Sequence, residues 1–389
     1  MRNKSCKVFI ITIIILMLSA NITLASNGSQ LIGVGPVSRA MGGTGIANPQ
    51  SSVSALYNNP AGMTLFKNAR IDLSGTLKYD DSAALNKTSA PEYSNNREKW
   101  SLSPSFGFVF PINKKFHFGI GFIETASLLL DYSDTSFGNV AWINSSGLYT
   151  MRLKQRDIIP AVSFKVSESF TLGLSLPITI QSLDFGGSKT TAMGLSAKLG
   201  FLWDLEYFRF GGYYKLGGLI APDHKSVAPN PDGKDLEYTP PTELGLGLSL
   251  VFIKNLVFSA DVKRIFWSDA TGYNNGFSGT ASSTNRHLCM EWDNQWVFAF
   301  GLQYIINKIT LRAGFNYGTD YHSDTTAVAI WKVKYHYTFG FGIQLSKMLV
   351  LNSAFMFTTK ERADHEGFNT WKTKHREYSA DIGLSLIFN

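Results

Sequence analysis

From residue 69 to its end the chain repeats one pattern. A segment of ten to twenty residues alternates apolar with small or polar side chains, and the connection that follows is alternately short and long. Fourteen segments run at about 69–79, 98–111, 115–131, 148–166, 169–183, 190–204, 206–220, 238–253, 255–269, 286–306, 308–320, 333–346, 348–360 and 375–389. In one of them Tyr335, Tyr337, Phe339, Phe341, Ile343 and Leu345 interleave with His336, Thr338, Gly340, Gly342, Gln344 and Ser346. A period of two makes a strand with one greasy and one polar face. A soluble sandwich alternates too, so the connections decide. Six are tight turns of two to four residues, such as Asn307-Lys308, and the seven others are mostly long and polar, such as Ala221 to Glu237. Strict short/long alternation with an even strand count is how a transmembrane barrel places turns on one side and loops on the other, whereas a Greek-key sandwich would mix them. The segments also exceed the roughly 9–11 residues needed to cross a bilayer at a tilt. The expected fold is an all-β, 14-stranded antiparallel transmembrane β-barrel.

Composition supports this by exclusion. The chain is 13% aromatic, 44% hydrophobic and only 17% charged, with 35 glycines in 389 residues. Disordered and coiled-coil chains do not look like this. No run of 18 apolar residues follows residue 25, which excludes a polytopic helical membrane protein. The mean hydropathy of −0.02 is an average over two opposite strand faces. Trp267, Trp296, Trp331, Trp371, Tyr335 and Tyr378 fall near segment ends, where interfacial girdles are expected.

Arg2, Lys4 and Lys7, then the apolar stretch Val8 to Leu18, then Thr23-Leu24-Ala25, read as a signal peptide cleaved after Ala25, too short to span a bilayer. Its removal takes three positive charges from the formal net charge of +7, leaving +4. That mild, scattered excess gives no reason to expect a nucleic-acid partner. Cys6 leaves with the signal, so Cys289 has no internal disulfide partner.

Residues 26–66 break the strand pattern. Glycines at 33, 35, 42, 43 and 45 make a tightly turned segment suited to a confined space, and a short helix is expected from about Ser52 to Asn58, stopped ahead of Pro60. About forty such residues ahead of a barrel look like a plug. The segment carries Ser38-Arg39-Ala40 with Gly42, Gly43 and Gly45, and above all Asn59-Pro60-Ala61 within Asn58–Phe66, directly before the first strand. In these motifs the chain resembles the outer-membrane long-chain fatty-acid and aromatic-hydrocarbon transporter family of FadL/TodX type. The resemblance implies a barrel closed by an N-terminal hatch (26–66, with 67–389 as barrel) in a Gram-negative outer membrane. It also implies a monomer, passive uptake of fatty acids or hydrocarbons, and lateral exit into outer-membrane lipid beside a kink in the third strand. The third long connection, part of an outer groove in the family, is here only Gly186 to Lys189, and the chain ends Phe388-Asn389 without the usual terminal aromatic residue.

The third segment breaks its alternation at Glu124-Thr125-Ala126-Ser127, which reads as a bulge beside a lateral opening or as a register shift above the membrane. Pro104, Pro160 and Pro177 predict further kinks. Extending the alternation, Lys198, Lys263 and Arg312 point inward. They are candidates to hold a carboxylate head group, or to pair with inward Asp261 and Asp381 and so fix the hatch, as Arg39 could. Asp223-His224, His322-Ser323-Asp324 and Asp364-His365-Glu366 offer catalytic residue types in outer loops, but short polar loops produce such pairings by chance and the chain is not read as an enzyme. The scattered histidines show no metal-ligand spacing, and no cofactor is expected. The alternative function is a surface-binding protein, an adhesin or phage receptor, acting through its long loops.

Overall fold

The structure is a computed structural model. It describes residues 27–86, 93–131, 150–185, 188–224, 236–251, 253–274, 292–321, 333–365 and 371–388. The signal segment, Trp331, Cys289 and His322-Ser323-Asp324 lie outside them, as do the side chains of Asp364, His365 and Trp371.

Fourteen antiparallel strands close into a barrel. They are β1 (Arg70–Asp80), β2 (Trp100–Pro111), β3 (Phe116–Asp131), β4 (Thr150–Lys165), β5 (Phe170–Ser175 continued by Ile178–Phe185), β6 (Ser188–Asp204) and β7 (Phe208–Ile220). There follow β8 (Thr242–Leu250), β9 (Leu256–Phe266), β10 (Gln295–Ile306), β11 (Ile309–Gly318), β12 (Tyr335–Gln344), β13 (Leu349–Thr358) and β14 (Glu377–Ile387). Each pairs with the next, and β14 pairs with β1 from Arg70↔Ile387 to Asp80↔Glu377, so the barrel closes on itself without a terminal edge strand. The break in β5 is at Leu176-Pro177, where Pro177 and the neighbouring Pro160 of β4 each lack a ladder donor.

Side chains follow the predicted alternation. Phe339 and Phe341 point outward while His336 and Thr338 are buried. Tyr79, Trp100 and Tyr378 form one stretch of an aromatic girdle at the outer end of β1, β2 and β14. Trp267 corrects the girdle expectation. Trp267 shares the parity of the buried Asp261 and Ile265, so at the end of β9, where a single 3-10 turn Trp267–Asp269 begins, its indole faces inward, packs with Tyr273 and Trp292 and is wholly buried. The connections also hold more structure than their polarity suggests. Residues 83–86, 94–95, 361–365 and 371–375 form a four-stranded sheet outside the barrel.

Residues 27–66 fill the lumen. Helix α1 (Gly35–Ala40) carries Pro36 in its first turn, where a missing N–H costs nothing. Helix α2 (Ser52–Asn58) occupies the predicted span and is N-capped by Ser51, whose Oγ accepts from Ser54 N at 3.1 Å. It gives way to a 3-10 turn, Pro60–Leu65. Val53, Ala55, Leu56 and Met63 pack on Val109, Ile123, Ile159 and Ala161, a small apolar core between this segment and β2–β4. The backbones approach so closely that a Cβ at Gly314 would lie 2.0 Å from Gly42 N, and Gly42 itself has φ of +70°.

Candidate functional site

Asn59, Pro60 and Ala61 form the joint by which the inner segment meets the barrel wall. The Asn59 amide donates to Ile46 O at 2.8 Å and to Phe201 O on β6 at 2.9 Å, while its Oδ1 accepts from Ala61 N at 3.1 Å. One side chain thus ties two stretches of the segment to a strand and starts the 3-10 turn. Glycines at 173 and 200 leave the room, since a Cβ at Gly173 would lie 2.2 Å from Ala61 N.

Three barrel carboxylates hold the same segment. Asp261 accepts from Gly45 N at 2.8 Å and Ile46 N at 3.0 Å. Asp72 accepts from both N and Oγ of Ser52 at 2.6 Å. Asp381 takes the Arg39 guanidinium at 3.0 Å, with both side chains at most 1% exposed. Thr338 and Asn316 bind the N–H and the carbonyl of Gly42.

The second feature is a parting of strands. β2 and β3 pair only as far as Ser105↔Ile123, although β2 stays on β1 up to Trp100 and β3 stays on β4 up to Asp131. Pro104, the next residue of β2, has no N–H to continue the ladder. Opposite it, β3 carries an extra residue, with the register shifting between Glu124 and Ala126 around Thr125. Glu124 accepts from Ser103 Oγ at 2.6 Å and Arg156 Nε at 3.3 Å, a polar tie across the gap. The freed edge of β3 is paired from inside. Leu31 N donates to Thr125 O at 3.3 Å and Ser127 N to Ser29 O at 3.1 Å, so Gln30 bridges to Ala126. Above this, Asn96 caps Leu129 O and Asp131 N. The parting lies beyond Ser105, towards Trp100 of the girdle, and the residues of β3 along it, Glu124 to Asp131, are all buried.

The third feature is a small cavity behind that bridge, about 20 Å³ and bordered by Gln30, Tyr57, Thr125, Lys198, Lys215 and Glu243. It has room for about one water. Lys215 pairs with Glu243 at 2.7 Å, and Glu243 also accepts from Gln30 at 2.8 Å and Tyr213 at 2.9 Å. Lys198 makes no ion pair among the described residues. Its ammonium donates to Tyr57 O and sits over the rings of Tyr213, at 4.3 Å, and Tyr57, at 5.4 Å. Lys263 reaches the same Tyr57 ring at 5.9 Å. Burial, reinforced by Glu243 and Asp157, pushes the Tyr57 phenol well above its ordinary range, so it stays a neutral donor.

The structure therefore gathers Lys198 and Lys263 with Glu124–Ser127, but not Arg312. Arg312 lies near the opposite end of the lumen, donating to Gln303 at 2.7 Å and Asn352 at 3.2 Å. Lys215, Glu243 and Gln30 escaped the sequence reading, though inward alternation on β7 and β8 carried the first two. His224 is fully buried, with Nδ1 on Thr190 at 2.8 Å and Nε2 on Gln181 at 2.9 Å. Both nitrogens are engaged in structural contacts, and burial lowers its pKa.

Residues 19–202 match the family described as outer membrane protein transport protein (OMPP1/FadL/TodX), a stretch that holds the inner segment, the joint and the parted strands. Over that stretch, just under half of its 389 residues, the chain is similar to the OMPP1/FadL/TodX family. It shares this family's fold with a Pseudomonas aeruginosa FadL homologue, at 14% identity and a TM-score of 0.74 over 93% of this chain and 100% of that one. The P. putida toluene transporter TodX matches at 20% identity and 0.68, over 92% and 100% of the two chains. The Ralstonia pickettii toluene transporter TbuX matches at 22% and 0.65, over 92% and 99%. A search of curated protein sequences found no significant match. The family that residues 19–202 match is one of outer-membrane transport proteins.

Proposed function

We propose that the barrel passively admits amphipathic molecules with a carboxylate head and a hydrocarbon tail, of the long-chain fatty-acid class, and releases them sideways into the membrane between β2 and β3. The observation that carries the head-group reading is Lys198, a buried ammonium facing the cavity with only a carbonyl and two ring faces for partners. A carboxylate displacing Tyr57 O would give it a charge-assisted bond. The tail supplies the rest of the affinity, at about 0.8 kcal/mol per buried CH₂, so longer chains bind more tightly. The present cavity is too small for a tail, so ligand binding displaces Ser29–Leu31. Those residues also seal the gap, and one movement therefore opens both. We further propose that the chain works as a monomer after cleavage of residues 1–25. Asn27 and Ser29 are already buried in the lumen.

The test is uptake by cells lacking other such channels. Expression is expected to raise uptake of radiolabelled oleate, and Lys198→Met to lower it about tenfold, the loss of roughly 1.4 kcal/mol, while hexadecane uptake stays within about twofold. Equal oleate uptake by Lys198→Met removes the head-group role. Uptake of hexadecane or toluene but not oleate makes the substrate a hydrocarbon, and uptake of none removes the transport reading for these compounds.

A further inference from the structure

The barrel register brings together, at the outer end of the lumen, side chains that are distant in sequence. Asp80 of β1 pairs with Glu377 of β14. Thr358 of β13 accepts from Glu377 N at 2.8 Å, and His336 of β12 pairs with Thr358. These positions face inward. His375 precedes Glu377 by two residues and enters from the outer sheet, whose strand 371–375 runs into β14. One ligand atom from each of Asp80, His375 and Glu377 lies within 4.8 Å of the others, with His375 Nδ1 3.5 Å from Asp80 Oδ1. Asp80 and His375 are 5% and 2% exposed. His336 is 1% exposed, and its Nδ1 meets no hydrogen-bond partner among the described residues.

We propose that Asp80, His375 and Glu377 form a three-ligand binding site for a divalent first-row transition metal of the Zn²⁺ class. An imidazole with two carboxylates suits such an ion, whereas Mg²⁺ and Ca²⁺ take oxygen donors. Lys78 is the resident competitor. Its ammonium lies 3.5 Å from Glu377 Oε2, and it offsets only one of the two carboxylate charges. Binding a dication requires that this ammonium swing aside. The ligands come from β1, β14 and the outer sheet, so the ion braces the sheet against the barrel mouth, where Asp81 and Arg376 already exchange backbone hydrogen bonds at 2.8 and 3.1 Å. His375 and Glu377 are two residues apart in sequence, and only the pairing of β14 with β1 brings Asp80 to them.

Tag-free, chelator-stripped full-length protein in detergent is titrated with ZnCl₂, with MgCl₂ as control, and bound metal is counted by mass spectrometry after gel filtration. One zinc per chain with a Kd at or below about 10 µM is expected, with no retained magnesium. His375→Ala and Asp80→Asn should each weaken binding more than about tenfold, and Lys78→Met should tighten it. Heat-modifiable gel mobility verifies folding. Where His375→Ala does not fold, Asp80→Asn and Lys78→Met carry the test. Absence of stoichiometric zinc overturns the proposal, and so does zinc retained with unchanged affinity in folded ligand variants.

Discussion

Deleting Thr125 is expected to lower uptake by more than about tenfold while leaving a folded barrel. Thr125 is the residue by which β3 outruns β4. Its neighbours pair as Glu124↔Arg156 and Ala126↔Gln155, so removing it restores one continuous register. A straightened β3 returns to the reach of Trp100–Pro104 on β2, and the bridge to Ser29–Leu31 loses its geometry. Backbone groups facing lipid must find partners, each unsatisfied one costing several kcal/mol, so the two strands will zip wherever N–H groups allow. Reopening even one such pair costs well over the 1.4 kcal/mol that corresponds to tenfold. The measurement is oleate uptake alongside heat-modifiable mobility, with Ser127→Ala as a variant that keeps the backbone bond and should transport normally. A folded deletion variant that transports within about twofold of the parent would show that the gap is not the route.

Why strand count and facing were legible, and the gate was not, follows from range. Alternation is local, and the lumen-facing positions of His336, Thr338, Lys198 and Asp381 follow from counting by two along a strand. The break at Glu124–Ser127 was local as well, but its meaning depended on Pro104 in a different strand and on Ser29–Leu31 nearly a hundred residues away. Trp267 misled because its place near a strand end suggested the girdle, whereas its parity, that of Asp261 and Ile265, turns it into the lumen. Asn59 carried a signal through its motif, yet nothing local said that its amide would reach Phe201 O. Arg312 has the same inward parity as Lys198 and lies at the other end of the lumen, because parity fixes the face and says nothing of depth. Lys215 and Glu243 obeyed the alternation too, and only the β7–β8 pairing joins them into one cluster with Gln30.

Arg39→Ala is expected to unseat the inner segment and make the barrel leak. Arg39 and Asp381 form an ion pair that water does not reach, and Arg39 also donates to Gly33 O at 3.1 Å, holding α1 to its preceding turn. Truncating the arginine strands a carboxylate whose only other side-chain donor is Thr76, at 2.5 Å. Breaking a buried pair in this way costs about 3–5 kcal/mol, because the remaining charge has lost its compensation. That cost falls on the seated state alone, since an unseated segment exposes Asp381 to water in the lumen. Three kcal/mol is about a hundredfold in the equilibrium between seated and unseated forms, so planar-bilayer conductance should rise steeply. Arg39→Met combined with Asp381→Asn removes both charges, fills the same space and should restore most of the closure. Salt should change little, because the pair is shielded from mobile ions. Conductance equal to the parent in Arg39→Ala would mean that Asp72, Asp261 and Asn59 suffice to hold the segment. Leakage in the single variant that the double variant reverses isolates the stranded charge, and not the lost side-chain volume, as the cause.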